Sequence, residues 1–291
     1  LLVIYMRHKV TEDGLLISEL SLIFPNMSKN KIRKMLTNNR IEVDGDVVNK
    51  AKKEIFAGSL IVIKDKINIS TKTVKEKLDI IFEDDVLIVV NKPNKLLSVA
   101  TNKLEKETMH SMVLDYLKSK DSKSWGWIVH RLDKDTSGVM IFAKSEEVKL
   151  ILQKQFSENI VKRIYIAIVD GKPYKETGRI ENYIAEGKSL IVRECKKTVR
   201  GARIAITNWK VLKNKKSHSL LELLIETGRR NQIRVHLAGI KCPVSGDKKY
   251  GSVTDPLNRL CLHAEQLIIK HPISLKKIKF SSKSVFNNFF N

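Results

Sequence analysis

Apolar and polar positions over the first 63 residues predict two short helices. Residues from Ser18 to Phe24 form an amphipathic stretch that Pro25 ends. Ser28 is a good N-cap for a second helix, in which Ile32, Met35 and Leu36 fall at helical spacing. Four basic residues crowd the other faces of this second helix: Lys29, Lys31, Arg33 and Lys34. A solvated charged face and a phosphate-binding face both fit this pattern.

A half-buried strand follows the second helix. Ile41 and Val43 alternate with Glu42 and Asp44. Asp44-Gly45 is a turn signal that leads to a second strand. The segment from Lys64 to Lys77, KDKINISTKTVKEK, lacks apolar periodicity and reads as a linker. The predicted organisation is a small module at 15–63, a linker at 64–77 and a larger domain at 78–291.

The larger domain contains uninterrupted apolar runs, which predict buried strands joined by hairpin-like turns. These runs are Val86 to Val90, Gly138 to Ala143, Ile164 to Val169 and Leu220 to Ile225. Beyond them, Asn231 can cap a helix in which Ile233 and Leu237 share one face. Predicted strands outnumber predicted helices in this domain, so we predict an α+β fold on a mixed, mainly antiparallel sheet.

The charge balance favours a polyanionic partner. The 291 residues carry 54 Lys and Arg against 32 Asp and Glu, a net charge of +22. Only 13 of the 54 are Arg, so a general enrichment in Lys accounts for part of the excess. The remainder suits nucleic acid, because cations beside phosphates release bound counterions.

Other classes of chemistry receive no support from the sequence. Cys195, Cys242 and Cys261 show no CxxC spacing, and the Cys261-Leu-His263 triplet lacks a second pair of metal ligands. Phosphate-binding Gly-rich loops and an HExxH motif are missing. No run approaches the length of a membrane span, so we expect a soluble, cytoplasmic protein, a monomer, without metal, cofactor or membrane partner.

One polar cluster precedes a predicted strand, in WIVHRLDKDTSGVMIFAKS. His130, Arg131, Asp133 and Asp135 lie on a tight turn, where a rigid scaffold can present side chains into a cleft. A surface loop with an internally bonded Asp-Thr-Ser turn is the competing interpretation. For the Trp125 and Trp127 pair just before it, we favour core packing over stacking on RNA.

A second cluster, ETGRRNQIRVHLAG, concentrates arginine in a chain that otherwise prefers lysine. This choice indicates bidentate pairing with carboxylate or phosphate. Arg230 and Arg234 are four apart and could share a helix face. An arginine that faces a carboxylate would lower its pKa. For Arg229 and Arg230 a structural ion pair or a general phosphate contact is the favoured interpretation, and for Arg234 it is the weaker one.

Four blocks together resemble a known family. HRLDKDTSG, KRIYIAIVDG, TGRRNQIRVHLA followed by PVSGDKKYG, and RLCLHAEQL occur in this order. The stretch from Leu78 to Pro272 resembles the RluA-type pseudouridine synthases, and the segment MSKNKIRKMLTNNRIEVDGDVV is similar to the S-four (alpha-L) RNA-binding domain. The departures are Lys95, Arg230 and Asn231, where the family often has Gly, Thr and His.

The resemblance implies the pseudouridine synthase fold and a role for each matched residue. Asp133 is implied as the essential carboxylate, Arg131 as the residue inserted where the target uridine leaves the stack, and Tyr165 as the residue that packs against the flipped uracil and is the candidate base. Arg234 is implied to pair with Asp133. Further RNA contacts are expected from Lys29, Lys31, Arg33, Lys34, Arg229 and Arg230.

The implied reaction isomerises uridine to pseudouridine in structured RNA, ribosomal RNA being favoured over transfer RNA, and needs no cofactor. Whether Asp133 attacks the anomeric carbon or removes a ribose proton stays open. A non-catalytic RNA-binding or ribosome assembly factor on the same scaffold is the alternative, and a nucleoside hydrolase is a more remote one.

Overall fold

The chain divides into two compact units, residues 1–69 and 70–291. The structure is a computed structural model, and it describes residues 5–64, 78–100, 107–187 and 191–291. Residues 65–77, which make up all but the first position of the predicted linker, lie outside these ranges. Lys64 itself belongs to a strand.

Over residues 5–64, the first unit combines two helices with six short strands. The helices are α1 (Leu16–Ile23) and α2 (Lys29–Thr37). The strands are β1 (Tyr5–Lys9), β2 (Gly14–Leu15), β3 (Ile41–Val43), β4 (Asp46–Val47), β5 (Glu54–Ile55) and β6 (Leu60–Lys64). Four of them form an antiparallel sheet in the order β1-β6-β3-β4, and β2 pairs with β5.

Local sequence signals account for much of this unit. The Ser28 hydroxyl accepts a hydrogen bond from the backbone N–H of Lys31 and caps α2 as predicted. The three apolar positions predicted for α2 are buried. Asp44 and Gly45 both have positive φ (53° and 91°), as a type I′ hairpin between β3 and β4 requires. The charged strand β1, which precedes the predicted module, has no apolar run and was not predicted.

The second unit is built on one large sheet. Its helices are α3 (Met109–Lys120), α4 (Glu146–Ser157), α5 (Gln232–Gly239) and α6 (Asn287–Phe290). Its strands are β7 (Ile80–Glu83), β8 (Leu87–Lys92), β9 (Trp127–Ile128), β10 (Ser137–Ala143), β11 (Lys162–Asp170), β12 (Thr177–Glu186), β13 (Val192–Cys195), β14 (Arg203–Lys215), β15 (His218–Ile225), β16 (Leu262–Lys270) and β17 (Lys277–Ser281).

These eleven strands form a sheet in the order β13-β12-β14-β15-β11-β16-β10-β8-β7, with β17 paired to β16 and β9 to β10. Of these pairs only β10–β16 is parallel, so the mixed, mainly antiparallel α+β prediction is confirmed. All four predicted apolar runs form strands, with ends that differ by at most two residues.

The apolar runs are continuous because helices cover both faces of the sheet at β8 and β10. Ile88 and Phe142 pack into a cluster with Val113 of α3. Their strand neighbours alternate to the other face, where Leu87 and Ile141 pack with α4. Gly138 lets β10 approach β16, since a Cβ there would lie 2.2 Å from the backbone oxygen of Ala264. The candidate site lies on the loops and strands next to this contact between β10 and β16.

Within the described ranges, no helix has both the length and the apolar composition that crossing a bilayer demands.

Candidate active site

The loop between β9 and β10 contains the HRLDKDTSG motif and is held in place by hydrogen bonds from a buried lysine. Lys92 is fully buried, and its Nζ donates to the carbonyl oxygens of Pro93 (2.8 Å), Leu96 (2.6 Å) and Lys134 (3.0 Å). Burial lowers the pKa of Lys92 to about 8, against the opposing charges of Asp135 and Asp133. Three carbonyls thus hold this ammonium and tie the β8 turn to the motif loop.

Two further contacts fix the same loop. The Ser98 hydroxyl donates to the carbonyl of Leu132 (2.7 Å) and accepts from its N–H (3.0 Å). His130 stacks on Phe156 of α4, and its Nε2 accepts a hydrogen bond from the N–H of Ile141 (3.2 Å). Burial lowers the pKa of His130 to about 3, so its imidazole is neutral and serves the loop structure.

A cleft of about 620 Å³ opens above this loop. It brings together the motif loop, the start of β11 and the segment that leads into α5. The lining includes Arg131, Asp133, Arg163, Tyr165, Arg229 and Arg234. Five of the residues predicted from the sequence therefore share one cavity, together with Arg163, which was not predicted.

Asp133 presents its carboxylate to this cleft, with 28% of the side chain exposed. Enclosure by the cleft raises its pKa above the ordinary value of 3.8; Arg234, Arg131 and Arg230 oppose that rise, and Asp247 adds to it. The facing arginine lowers this pKa, as expected, but desolvation outweighs the cations and the net shift is upward.

Arg234 lies 3.8 Å from Asp133 (Nη1 to Oδ2), as the resemblance implied, but its hydrogen bonds go elsewhere. Its Nε and Nη2 donate to the two oxygens of Asp247 (2.6 and 2.7 Å), and its Nη1 donates to Asn231 (3.2 Å). The guanidinium also lies over the ring of Tyr250 (4.8 Å). Arg234 is thus a fixed cation beside Asp133, oriented mainly by a second carboxylate.

Asp247 was missed from the sequence, although it stands in the quoted block PVSGDKKYG. Its side chain is 1% exposed, and its loop is pinned to the end of β11. There Asp170 accepts hydrogen bonds from the hydroxyls of Ser245 (2.6 Å), Ser252 (2.8 Å) and Thr254 (2.5 Å). The signal for Asp247 in the sequence was its place in a quoted motif block, between Ser245 and Ser252.

Tyr165 projects from β11 into the cleft and is 9% exposed. Burial raises the pKa of its phenol to about 12; the charge of Arg163 opposes the rise and that of Asp133 adds to it. The hydroxyl is therefore protonated at neutral pH. In this state Tyr165 can pack against a ring and donate a hydrogen bond, and it is a poor proton acceptor.

The remaining arginines lie around the cleft. Arg131 and Arg230 are exposed, and Arg230 donates to Glu186 across the surface. Arg229 donates through Nε to the carbonyl of Ile204 (3.1 Å). Because α5 begins at Gln232, Arg230 lies outside the helix, and the prediction that it shares a helix face with Arg234 is wrong.

Asn231 also differs from its prediction. It occupies the N-cap position of α5 with a left-handed φ of 54°, but its side chain makes no capping hydrogen bond. Its amide instead donates to the hydroxyl of Tyr250 (3.0 Å) and its oxygen accepts from Arg234. Ile233 and Leu237 are buried in the core as predicted.

The predicted RNA-binding set on α2 belongs to the first unit. Lys29, Lys31, Arg33 and Lys34 are all exposed. The tryptophan prediction is wrong for one residue, because Trp125 is 43% exposed with Lys118 over its ring (4.6 Å). Trp127 is partly buried against the core.

No group of three or more His, Cys, Asp or Glu in the described ranges is arranged to hold a metal ion. His263 is occupied by hydrogen bonds to Ser137 (2.8 Å) and to the carbonyl of Ser282 (2.8 Å). Burial raises the pKa of the Cys261 thiol to about 12. Neither residue is poised as a metal ligand.

The family model for RNA pseudouridylate synthase matches residues 86–239, which include the motif loop, β11 and α5. The chain belongs to the RNA pseudouridylate synthase family. This pseudouridine synthase is 36% identical over 200 residues to the uncharacterised RNA pseudouridine synthase YhcT of Bacillus subtilis, over 68% of this chain and 66% of that protein.

Two longer alignments extend into the first unit. The synthase is 30% identical to ribosomal large subunit pseudouridine synthase D of Vibrio cholerae, over 89% of this chain and 84% of that one. It is also 30% identical to ribosomal large subunit pseudouridine synthase C of Rickettsia bellii, over 91% and 93%.

Solved structures agree on the fold. Human RNA pseudouridylate synthase domain containing 4 superposes on the synthase with a TM-score of 0.61 and 26% identity, over 75% of this chain and 93% of that one. Human RNA pseudouridylate synthase domain containing 1 gives a TM-score of 0.58 at 22% identity, over 74% and 86%, and speaks for the fold alone. The predicted pseudouridine synthase fold is confirmed.

Proposed function

We propose that this enzyme isomerises uridine to pseudouridine at a specific position in structured RNA, with Asp133 as the catalytic carboxylate. The observation that carries the proposal is the position of the Asp133 carboxylate, in a cleft of about 620 Å³ beside the fixed guanidinium of Arg234. Tyr165 lines the same cleft and offers a face for the uracil ring.

The chemistry requires a base that has left the RNA stack. Flipping a nucleotide out costs a few kcal/mol, roughly, and a basic cleft can offset that. Arg131 and Arg229 line the cleft, and Arg230 is the exposed neighbour of Arg229; the three supply positive charge for the flanking phosphates. Arg131, on the motif loop, is the residue we assign to the gap that the uridine leaves.

Asp133 must be ionised to act. It then either attacks the ribose anomeric carbon or removes a ribose proton, and in both routes the bond from ribose to uracil N1 breaks. The base turns within the cleft and rejoins ribose through C5. Because the product is an isomer of the substrate, this sequence of steps consumes no co-substrate.

The proposed substrate is ribosomal RNA. Support comes from the relatives in Vibrio cholerae and Rickettsia bellii, which are named as pseudouridine synthases of the ribosomal large subunit. For the first unit we propose an S-four type RNA-binding role, supported by the exposed basic residues of α2 and by the hairpin that follows it.

The test compares pseudouridine maps of cellular RNA with and without this gene, then reassays the affected RNA with purified enzyme. We expect one or a few sites to vanish in the deletion and to return with wild type. Asp133→Ala should bind the RNA normally and lose activity by more than about a thousandfold. Asp133→Asn, which keeps the shape of the side chain, is expected to be equally inactive.

Three results would contradict the proposal. Normal pseudouridine formation by Asp133→Ala would remove the catalytic role of this carboxylate. Tight RNA binding by wild type with no conversion would favour a non-catalytic RNA-binding factor. Free uracil in the reaction mixture would indicate hydrolysis of the glycosidic bond.

A further inference from the structure

The wall of the cleft contains an arginine to which the steps above give no role. Arg163 stands on β11 two residues before Tyr165 and is 9% exposed. Its Nη2 donates to the backbone carbonyl of Glu226 (2.7 Å), and its guanidinium packs on the ring of Phe156 (5.5 Å). Residues i and i+2 of a strand project to the same side, so Arg163 and Tyr165 both face the cleft.

The positive charge of Arg163 has no carboxylate partner among the described residues. Its Nε is buried without an acceptor, and no described residue accepts a hydrogen bond from its Nη1. The nearby carboxylate of Glu226 is occupied by Arg179 and Asn208. Arg234, in the same cleft, has Asp247 as its counter-charge.

An unpaired buried cation is costly to a fold, since desolvation is not repaid by a partner. Burial lowers the pKa of Arg163, yet guanidinium stays charged near neutral pH. The chain also keeps room for this group: a Cβ on Gly228 would lie 2.5 Å from Nη1. Arg163 therefore holds unused hydrogen-bonding capacity and charge at the cleft.

We propose that Arg163 is a further catalytic residue, which binds the carbonyl oxygens of the flipped uracil and stabilises the negative charge on the ring after the glycosidic bond breaks. This inference rests on the proposed function. When the bond from C1′ to N1 breaks, its electron pair leaves with the uracil and is shared among N1, O2 and O4. Asp133 either bonds to C1′ or takes the C2′ proton, and the uracil is an anion in both cases.

The negative charge of the uracil is later neutralised when the ring bonds to ribose again. C5 forms the new bond to C1′ while the bond from Asp133 to C1′ breaks or, in the other route, while Asp133 returns the proton to C2′. The C5 proton then leaves to a base and N1 gains a proton, so that the product has the atoms of the substrate. A fixed and buried cation stabilises the intermediate anion strongly, because the guanidinium needs no reorganisation. The burial of Arg163 beside Tyr165 favours a base contact over a phosphate contact, for which the exposed Arg131 and Arg230 are better placed.

The experiment uses the RNA fragment in which the wild-type enzyme makes pseudouridine. Arg163→Met removes the charge and keeps an unbranched side chain, and Arg163→Lys keeps the charge without the fork. Arg179→Met is the matched control, since Arg179 is an exposed arginine paired with Glu181 and Glu226 on the neighbouring part of the sheet. Single-turnover rates at saturating RNA, RNA affinity in the Asp133→Ala background and the unfolding temperature are measured for each.

We expect the Arg163→Met rate to fall at least about a hundredfold, with affinity within about threefold of wild type. The unfolding temperature should equal or exceed that of wild type, because an uncompensated buried charge has been removed. Arg163→Lys should be intermediate in rate, and Arg179→Met should match wild type in rate.

A full rate in Arg163→Met would overturn the proposal. So would a weaker affinity with an unchanged saturated rate, which indicates a phosphate contact, or a lowered unfolding temperature, which indicates a structural role. The proposed function fails separately, by an inactive wild type or an active Asp133→Ala in the same assay.

Discussion

The carboxylate of Asp133 lies near charges of both signs, and these charges influence the pH at which it is ionised. Desolvation by the cleft raises its pKa, with a further rise from Asp247, while Arg234, Arg131 and Arg230 lower it. The ionised form is the active one in both routes open to this residue. Activity should therefore fall as the pH is lowered, from a midpoint above the ordinary 3.8 of aspartate.

Two substitutions should move this acid limb in opposite directions. Arg131→Met removes a cation that favours the carboxylate, so the pKa of Asp133 rises and the limb moves to higher pH. Asp247→Asn removes an anion that disfavours it, so the limb moves to lower pH. Profiles of log kcat/KM against pH give the midpoint of the acid limb for each variant. Midpoints that move in the same direction would contradict these opposing effects of the two charges.

Asp247→Asn should also slow the reaction at saturating RNA. It weakens the fork that orients Arg234, and hydrogen bonds between charged groups contribute about 1.5–3 kcal/mol. We expect kcat to fall roughly ten- to a hundredfold with little change in KM. Asp255→Asn is a control in the same segment between α5 and β16, since the carboxylate of Asp255 accepts a hydrogen bond from the backbone N–H of Arg259 and does not contact Arg234. Unchanged kcat in Asp247→Asn would mean that Asn231 and Tyr250 hold Arg234 well enough alone.

At this scale the sequence predicted residues better than partners. Asp133, Tyr165 and Arg234 were singled out, and the cleft contains all three. The partner of Arg234 was not predictable, because Asp247 reaches it through a loop whose position depends on bonds to Asp170. The roles assigned to these residues stay predictions.

At the scale of elements, α2 has a basic exposed face, whereas the residues of the cleft belong to the second unit. Its three buried positions are apolar and its exposed face is basic. If this face contacts RNA phosphates, changing Lys29, Lys31, Arg33 and Lys34 to glutamine should weaken RNA binding at least about tenfold. The rate at saturating RNA should stay within about twofold, because the second unit contains the cleft.

The matched control changes four exposed lysines near β17 to glutamine: Lys276, Lys277, Lys279 and Lys283. It removes the same formal charge from the second unit. Equal losses of affinity in the two variants would show that net charge matters and that α2 has no special contact.

Elements with a strong local signal were predictable and the others were not. β8 and β10 are apolar throughout because helices cover both faces, and each was predicted from its run. The long strand β14 is only half-buried, with alternating or exposed positions and no apolar run. The order of strands, in which β11 lies between β15 and β16, depends on contacts between distant segments and has no local signature.

For the whole molecule, the net charge of +22 predicts a strong effect of salt. Each phosphate neutralised by a lysine or arginine releases counterions, and added salt reverses this release. We expect KM to rise at least about tenfold between about 50 and about 200 mM salt, with kcat changed much less. A KM that does not respond to salt would contradict the electrostatic part of RNA recognition.

The cleft also links the folding of the second unit to its ligand, because only the folded chain brings the motif loop, β11 and the segment before α5 together. Any molecule that binds only the folded state raises the melting temperature in proportion to the logarithm of its concentration. We therefore expect RNA to act on this enzyme as a stabilising ligand, so that the abundance of folded enzyme in a cell depends on the supply of the RNA that it modifies.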